Sequence, residues 1–353
     1  MKLKVGIPRS LLYFYYFPAW KAFFDRLGVE IILSPSTNKK ILDRGVKLAI
    51  DDLCLPFKAY FGHVSELIEN KNLNYLFIPR LISLGNNDAV CPKFMGLPDM
   101  IKSMFKESPP ILEPEIDLTK KFFPLRRIFY GIGRKLKFKL WEIEKAYQAA
   151  IKRQKEFENI LENGNTFHEG IRIIENRSHT SNNSGAKSSK YEEENSVSDI
   201  DRNLTVAVMG HSYIINDNHL SLGIIQYLRE LGVSIITHEM VNKYDREKAS
   251  RIQGKTSFWF YNRQIMGAAY HLMNKIKNRI DGVIQVTSFG CGPDSLVKEL
   301  VSLKFKNDEN SYLLNLDLDE HSGKAGLITR LEAFIDLLER RKENEKGNLP
   351  SYG

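Results

Sequence analysis

Asp281-Gly282-Val283-Ile284-Gln285-Val286-Thr287, followed at once by Ser288-Phe289-Gly290-Cys291-Gly292-Pro293-Asp294-Ser295, decides how this chain is read. The first run is largely apolar, with Gln285 the one polar residue in its interior, as suits a strand covered on both faces, and Ser295-Leu296-Val297-Lys298-Glu299-Leu300-Val301 has helical spacing. Cys291 therefore sits in a strand-to-helix turn. Gly290 and Gly292 remove Cβ atoms on either side of it, and Pro293 suits a first helical turn. The positive end of a helix dipole favours a thiolate, the form that binds metal or attacks carbon. A structural cysteine in a tight turn is the competing reading.

The other two cysteines have the same setting. Cys54 lies in Asp51-Asp52-Leu53-Cys54-Leu55-Pro56-Phe57-Lys58, and Cys91 in Val90-Cys91-Pro92-Lys93-Phe94-Met95-Gly96. Each of the three has a proline within two residues on its C-terminal side, so each marks a loop-to-helix junction.

Working outward, Leu3-Lys4-Val5-Gly6-Ile7-Pro8 reads as a first strand, followed by Arg9-Ser10 and an aromatic helical segment that Pro18 divides. Val29 to Leu33 is a second strand, Asn38 to Ile50 a helix, Phe57 to Ile68 a helix and Tyr75 to Ile78 a strand. Arg80 to Cys91 reads as a loop. A short helix from Pro98 and a strand at Pro110 to Leu112 close this part. The pattern turns helical from Lys120 to about Ile174, and between Asn176 and Asn203 Ser, Asn, Lys and Glu replace apolar residues. A second unit opens with the strand Leu204 to Met209, ending in Gly210-His211-Ser212. A helix over Asp217 to Glu230, a strand at Val233 to Thr237, a helix after Phe258-Trp259-Phe260, the Cys291 junction, a strand at Tyr312 to Leu316 and a last helix through Leu338 follow.

Strands alternating with helices at these lengths imply parallel pairing. The expected fold class is α/β: two Rossmann-like parallel-sheet domains, with a helical segment and a disordered insertion between them. The expected divisions are residues 1–118, carrying Cys54 and Cys91; the helical segment 119–175; the polar insertion 176–203; and residues 204–345, carrying Cys291. Ligands of such folds gather at the carboxyl ends of strands, where Arg9, Ser10, Cys54, the Arg80 to Cys91 loop and Cys291 fall.

A chain of 353 residues, 42% hydrophobic, builds real cores without disulfide staples. Three cysteines in such a length fit a reducing compartment, no early apolar segment precedes a small-residue cleavage site, and no run approaches ~18 apolar residues. The expectation is a soluble cytoplasmic protein with no membrane role. The net charge of +8 concentrates between Lys120 and Lys155 among Phe122, Phe129, Tyr130, Phe138 and Trp141. With no nucleic-acid motif beside it, this reads as a solvated helical face, and no nucleic-acid partner is expected.

Three thiolates converging across a domain interface suit soft metals. An iron–sulfur cluster and unligated structural thiols both remain open. Zinc fits less well, because no close pair of ligands with spacing two to four is present. A cysteine nucleophile with His211 or His321 as base also remains open. Arg9, Lys58 and Lys93 are candidates to offset the charge of a bound cluster. Ser10, Ser288 and Asp294 are candidates for hydrogen bonds around it, with helix capping as the plainer role for the serines and the aspartate. Glu320 and His321 stand at a strand end, and Arg330 in the following helix.

The wording of these motifs adds a resemblance. Gly6-Ile7-Pro8-Arg9, Cys54-Leu55-Pro56 with Lys58 and Gly62-His63, Cys91-Pro92-Lys93, Phe289-Gly290-Cys291-Gly292-Pro293-Asp294, Asp319-Glu320-His321-Ser322-Gly323 and Thr329-Arg330-Leu331-Glu332-Ala333-Phe334 resemble the 2-hydroxyacyl-CoA dehydratase superfamily, and within it the acyl-CoA dehydratase activase-related branch. The resemblance implies an oxygen-sensitive iron–sulfur protein of anaerobes, with a [4Fe-4S] cluster, alone or as part of a larger cluster, on Cys54, Cys91 and Cys291. It implies low-potential electron transfer from a separate ATP-dependent activator carrying its own cluster, with an acyl-CoA thioester as candidate substrate of a lyase or reductase. A non-catalytic cluster-bearing adaptor or relay, and a double-cubane reductase of small molecules, are the alternatives within it. A dimer is among the expectations. Phosphate-cradling Gly-rich loops are absent, so the activator is expected on another polypeptide.

Overall fold

The structure, a computed structural model, describes residues 2–69, 72–85, 88–119, 124–180, 203–251, 259–275, 280–306 and 312–345. In chain order the elements are β1 (Lys4–Ile7), α1 (Tyr13–Arg26), β2 (Glu30–Leu33), α2 (Lys39–Leu48), α3 (Leu55–Glu69), β3 (Tyr75–Phe77), β4 (Arg80–Ser83), α4 (Pro92–Met104), β5 (Ile111–Leu112) and β6 (Glu115–Asp117). Three helices follow, α5 (Pro124–Lys135), α6 (Leu140–Glu162) and α7 (Phe167–Thr180). The second half comprises β7 (Thr205–Met209), α8 (Ser212–Ile215), α9 (Ile224–Glu230), β8 (Ser234–Thr237), α10 (Lys243–Ser250), α11 (Phe260–Lys275), β9 (Gly282–Ser288), α12 (Gly292–Lys306), β10 (Leu313–Leu318) and α13 (Lys324–Glu345).

Every registered strand pair is parallel, in the orders β2-β1-β3-β5 and β10-β9-β7-β8. The chain is thus α/β with two parallel sheets. β9 is buried at every position, which is why its run carries no alternation. One buried apolar cluster joins Val5 and Ile7 of β1, Ala146 and Ala150 of α6, Val206 and Val208 of β7, and Leu331 and Ile335 of α13. A smaller cluster joins α11 and α12 to the second sheet through Ala268, Val283 and Val301.

Two glycines set the placement of α3, the helix that follows Cys54. At the crossing of α2 and α3, a Cβ on Gly45 would stand 1.8 Å from the Lys58 carbonyl oxygen, and one on Gly62 would stand 1.9 Å from that of Ile41. The backbones approach so closely that no other residue fits at either position.

Several expectations are corrected. Pro18 lies inside a continuous α1 rather than dividing it; its missing amide costs one rung in a helix whose aromatic side chains, including Phe14, Phe17, Phe23 and Phe24, are buried. α4 begins at Pro92, not Pro98, because proline serves as its first residue. The Arg80 to Cys91 stretch contains β4, paired in parallel with β6. The helix expected over Asp217 to Glu230 is only Ile224–Glu230. Leu222 and Gly223 take left-handed backbone, at φ 56° and 78°, and the Asp217 carboxylate instead accepts the amides of His219 and Leu220 in a turn. The expected insertion 176–203 starts inside α7, which runs to Thr180. Residues 181–202, and Phe258, lie outside the described residues.

Candidate functional site between the carboxyl ends of the two sheets

Each cysteine precedes the first residue of a helix. The Cys54 carbonyl accepts the amides of Phe57 and Lys58 at 3.0 and 3.2 Å, that of Cys91 the amide of Phe94 at 2.9 Å, and that of Cys291 the amide of Ser295 at 3.0 Å. Gly290, at φ 76°, turns the chain between β9 and α12, and a Cβ there would lie 3.9 Å from Cys54 Cα. The Leu55 amide donates to Ser288 Oγ across 3.2 Å. The strand end of the second half is thus closed onto the helix start of the first.

The thiols lie near enough to influence one another. Burial pushes Cys54 up to about 11; the Lys93 charge opposes this, while Cys91 and Asp294 add to it. Cys91 is raised by burial against the same lysine. Cys291 is raised by burial, then by Asp294 and Cys54. A helix N-terminus alone would favour thiolate, but here burial and neighbouring negative charge win, and the metal-free thiols are held protonated. The three are free cysteines. A thiol held neutral is a poor nucleophile, whereas a bound cation displaces its proton and makes it a ligand.

A polar shell backs Cys291. His211, at the end of β7, places Nε2 2.9 Å from Asp294 Oδ1, and Asn262 of α11 donates to the same oxygen at 2.7 Å. Ligand atoms of His211, Cys291 and Asp294 all lie within 4.8 Å of one another. Asp294 is 4% exposed, and its carboxylate also interacts with the Cys291 thiol. The His211 ring stacks on Tyr213 at 4.7 Å, with Tyr15 Oη 3.5 Å from its Nδ1. Tyr15 stacks in turn on Tyr261 at 4.4 Å. Among the described residues, His211, Cys291 and Asp294 together offer nitrogen, sulfur and oxygen donors of the kind that can hold a metal ion.

The other expected site residues separate into two places. Lys93 Nζ stands 5.9 Å from the Phe57 ring centroid, and its charge lowers both Cys54 and Cys91. Lys58 is buried and pairs with Glu320 at 2.5 Å, which ties α3 to the loop after β10. Ser288 makes the bond to Leu55. Arg9 stands elsewhere: its Nη1 donates to Ser36 Oγ at 2.8 Å, its guanidinium carbon lies 6.0 Å from the Tyr13 ring centroid, and it lines a separate cleft with Thr37, Phe167 and Arg172. Ser10 is buried against a mainly apolar cavity of about 10 Å³, its hydroxyl without a partner. Of the two candidate bases, His211 is beside Cys291, while His321 is exposed and its amide donates to Asp319.

Asn262, Tyr15, Tyr213 and Tyr261 are absent from the residues singled out in the sequence. Asp294 and the strand end Gly210-His211-Ser212 pointed to this shell.

An α/β protein of two parallel sheets meeting at their carboxyl ends, with thiols gathered between them, is the class defined so far. The family described as CoA enzyme activase uncharacterised domain matches residues 4–241, and the chain belongs to that family. The match contains Cys54, Cys91 and His211 and ends before Cys291. A comparison with curated proteins finds no match. Among solved structures, the lac repressor dimer bound to operator and the anti-inducer ONPF aligns over 91% of this chain and 93% of that one, at 10% identity and a TM-score of 0.24, a likeness too slight to carry any argument. Among the described residues no helix is long and apolar enough to cross a membrane.

Proposed function

We propose that Cys54, Cys91 and Cys291 hold a [4Fe-4S] cluster, alone or as part of a larger cluster, and that the chain works as an iron–sulfur redox component of a CoA enzyme system. The observation that carries this reading is the approach of three helix-start cysteines across the two halves, with His211 and Asp294 beside Cys291. A cluster held by three cysteines leaves one iron without a protein thiolate, and its chemistry when bound is the uptake and release of single electrons at low potential. Lys93 lowers the proton affinity of Cys54 and Cys91 and so favours the ligating thiolates. His211 and Asn262 orient Asp294, and the Leu55–Ser288 bond keeps the Cys54 and Cys291 loops in register.

The electron donor in this reading is a separate ATP-dependent activator with its own cluster, and an acyl-CoA thioester is the candidate substrate. A relay or adaptor role has an observation of its own. Ile50, Met95, Phe289 and Leu296 are 67, 46, 69 and 54% exposed, and each lies within five residues of a cysteine. Exposed large apolar side chains close to the cysteines along the chain suit docking of a protein partner.

The test is anaerobic purification, reconstitution with iron and sulfide, and measurement of iron, acid-labile sulfide and the EPR spectrum of the reduced protein. About four irons per chain with a cubane signal supports the reading. Absence of retained iron, with all three thiols titratable, sinks it. Spectral change on adding acyl-CoA thioesters favours catalysis over relay.

A further inference from the structure

The second cleft, where Arg9 stands, lies at the carboxyl ends of β1 and β2 on one side and of β7 on the other, the position at which parallel α/β folds receive ligands. Its volume is about 130 Å³, well above the ~10–15 Å³ that admits a single water. Its apolar lining is Tyr13, Phe14, Phe167 and Ile171, and the three rings are packed together: Phe167 lies 5.6 Å from Tyr13 and 5.1 Å from Phe14, centroid to centroid. Its cationic lining is Arg9 and Arg172. Arg9 reaches the cleft from the turn after β1. Arg172 reaches it from α7, half-buried and, among the described residues, without a hydrogen bond or ion pair.

Asp217 is the one carboxylate among the lining residues, and its charge is already engaged. Its oxygens accept the Thr37 hydroxyl and the amides of His219 and Leu220, and burial raises its pKa. His168 and His219 add no negative charge, and His168 Nε2 is held 2.6 Å from the Asn216 carbonyl oxygen. A half-buried guanidinium with no ion-pair partner, lining the same cleft as three packed aromatic rings, asks for a ligand that carries both an anionic and an apolar part.

We propose that this cleft binds a small organic carboxylate, its charged end on Arg172 and Arg9 and its short hydrocarbon end against Tyr13, Phe14 and Phe167. Inorganic phosphate shares the anionic chemistry but leaves the aromatic side unfilled, so the two are separable by experiment. This site does not rest on the cysteine reading, since none of its lining residues is a proposed cluster ligand.

The test uses the full chain and isothermal titration calorimetry with butyrate, butyramide and inorganic phosphate. The expected result is saturable butyrate binding with a Kd of about 1 mM, butyramide at least about tenfold weaker, and phosphate weaker than butyrate. Arg172→Gln is expected to weaken butyrate by about tenfold or more, with the thermal midpoint of the ligand-free protein unchanged. Arg172→Lys, which keeps the charge, is expected to fall between the two. No saturable butyrate binding at about 20 mM, equal binding of butyrate and butyramide, tighter binding of phosphate, or unaltered affinity in Arg172→Gln would each overturn the proposal.

Discussion

The Leu55 amide and the Ser288 hydroxyl meet at 3.2 Å, although 233 positions separate them in the chain. This bond joins the first residue of α3 to the last residue of β9, and the Cys54 and Cys291 loops lie on either side of it. Removing the acceptor leaves a buried amide unsatisfied. Ser288→Ala is therefore expected to lower stability by about 1–3 kcal/mol, read by urea unfolding of the metal-free protein. An unchanged midpoint would mean that packing, not this bond, closes the two halves together.

The thiols offer a second measurement. With Cys54 pushed up to about 11 by burial, its thiolate is scarce near neutrality, and alkylation of the metal-free protein is expected to rise about tenfold per pH unit between pH 7 and 10. Lys93→Met removes the charge that opposes the shift in both Cys54 and Cys91, so alkylation of both slows further. Faster alkylation in that variant would contradict the placement of Lys93. In the reconstituted protein, Cys54→Ala, Cys91→Ala and Cys291→Ala are each expected to lose most of the iron, whereas Ser10→Ala, whose hydroxyl borders a mainly apolar cavity, retains it.

These sites were unequally legible in the sequence. The parallel sheets were readable because buried strands such as Val206 to Met209 are apolar without interruption, and the cysteine junctions because Pro56, Pro92 and Pro293 mark helix starts. β4 and β6 were not, since Arg80-Leu81-Ile82-Ser83 and Glu115-Ile116-Asp117 are short and polar and pair only with each other. The His211–Asp294 pair depends on β7 lying beside β9, a consequence of sheet order that no local spacing records. Arg9 illustrates the same limit. Its position after β1 marks a strand end, but the strand ends border two clefts, and it lines the one with Arg172 rather than the thiols.

Acid sensitivity follows from two buried histidines. His63 lies between Ser34 Oγ and Thr37 Oγ1, at 2.9 and 3.0 Å, and burial, aided by the Arg9 charge, lowers its pKa to about 3. Burial likewise lowers His238 to about 4, against the opposing charge of Glu239. Both are neutral in the folded protein, while an unfolded histidine protonates near pH 6.5. Unfolding therefore takes up protons below that pH. The stability the two contribute is complete above about 6.5 and is lost as pH falls toward 4, by up to about 1.4 kcal/mol per pH unit for each group. Urea midpoints between pH 8 and 5 measure this, and His63→Gln is expected to flatten the slope while lowering the plateau.

The Lys58–Glu320 pair gives the opposite partner a role. Burial alone would raise the Glu320 pKa, but the hydrogen bond and charge of Lys58 outweigh it and leave the carboxyl below its ordinary range. A carboxylate depressed on folding stabilises the protein above its unfolded pKa, near 4.3, and that contribution disappears as pH falls through the folded value. Lys58→Met strands the carboxylate. Because the Glu320 side chain keeps 17% of its surface open, the loss is smaller than for a fully enclosed pair, about 1–3 kcal/mol. The gap between wild type and variant is expected to be widest above about pH 5 and to close in acid, where protonated Glu320 no longer needs the lysine. A gap that stays constant down to pH 3 would show that the variant suffers from lost packing of the Lys58 stem, not from a lost charge.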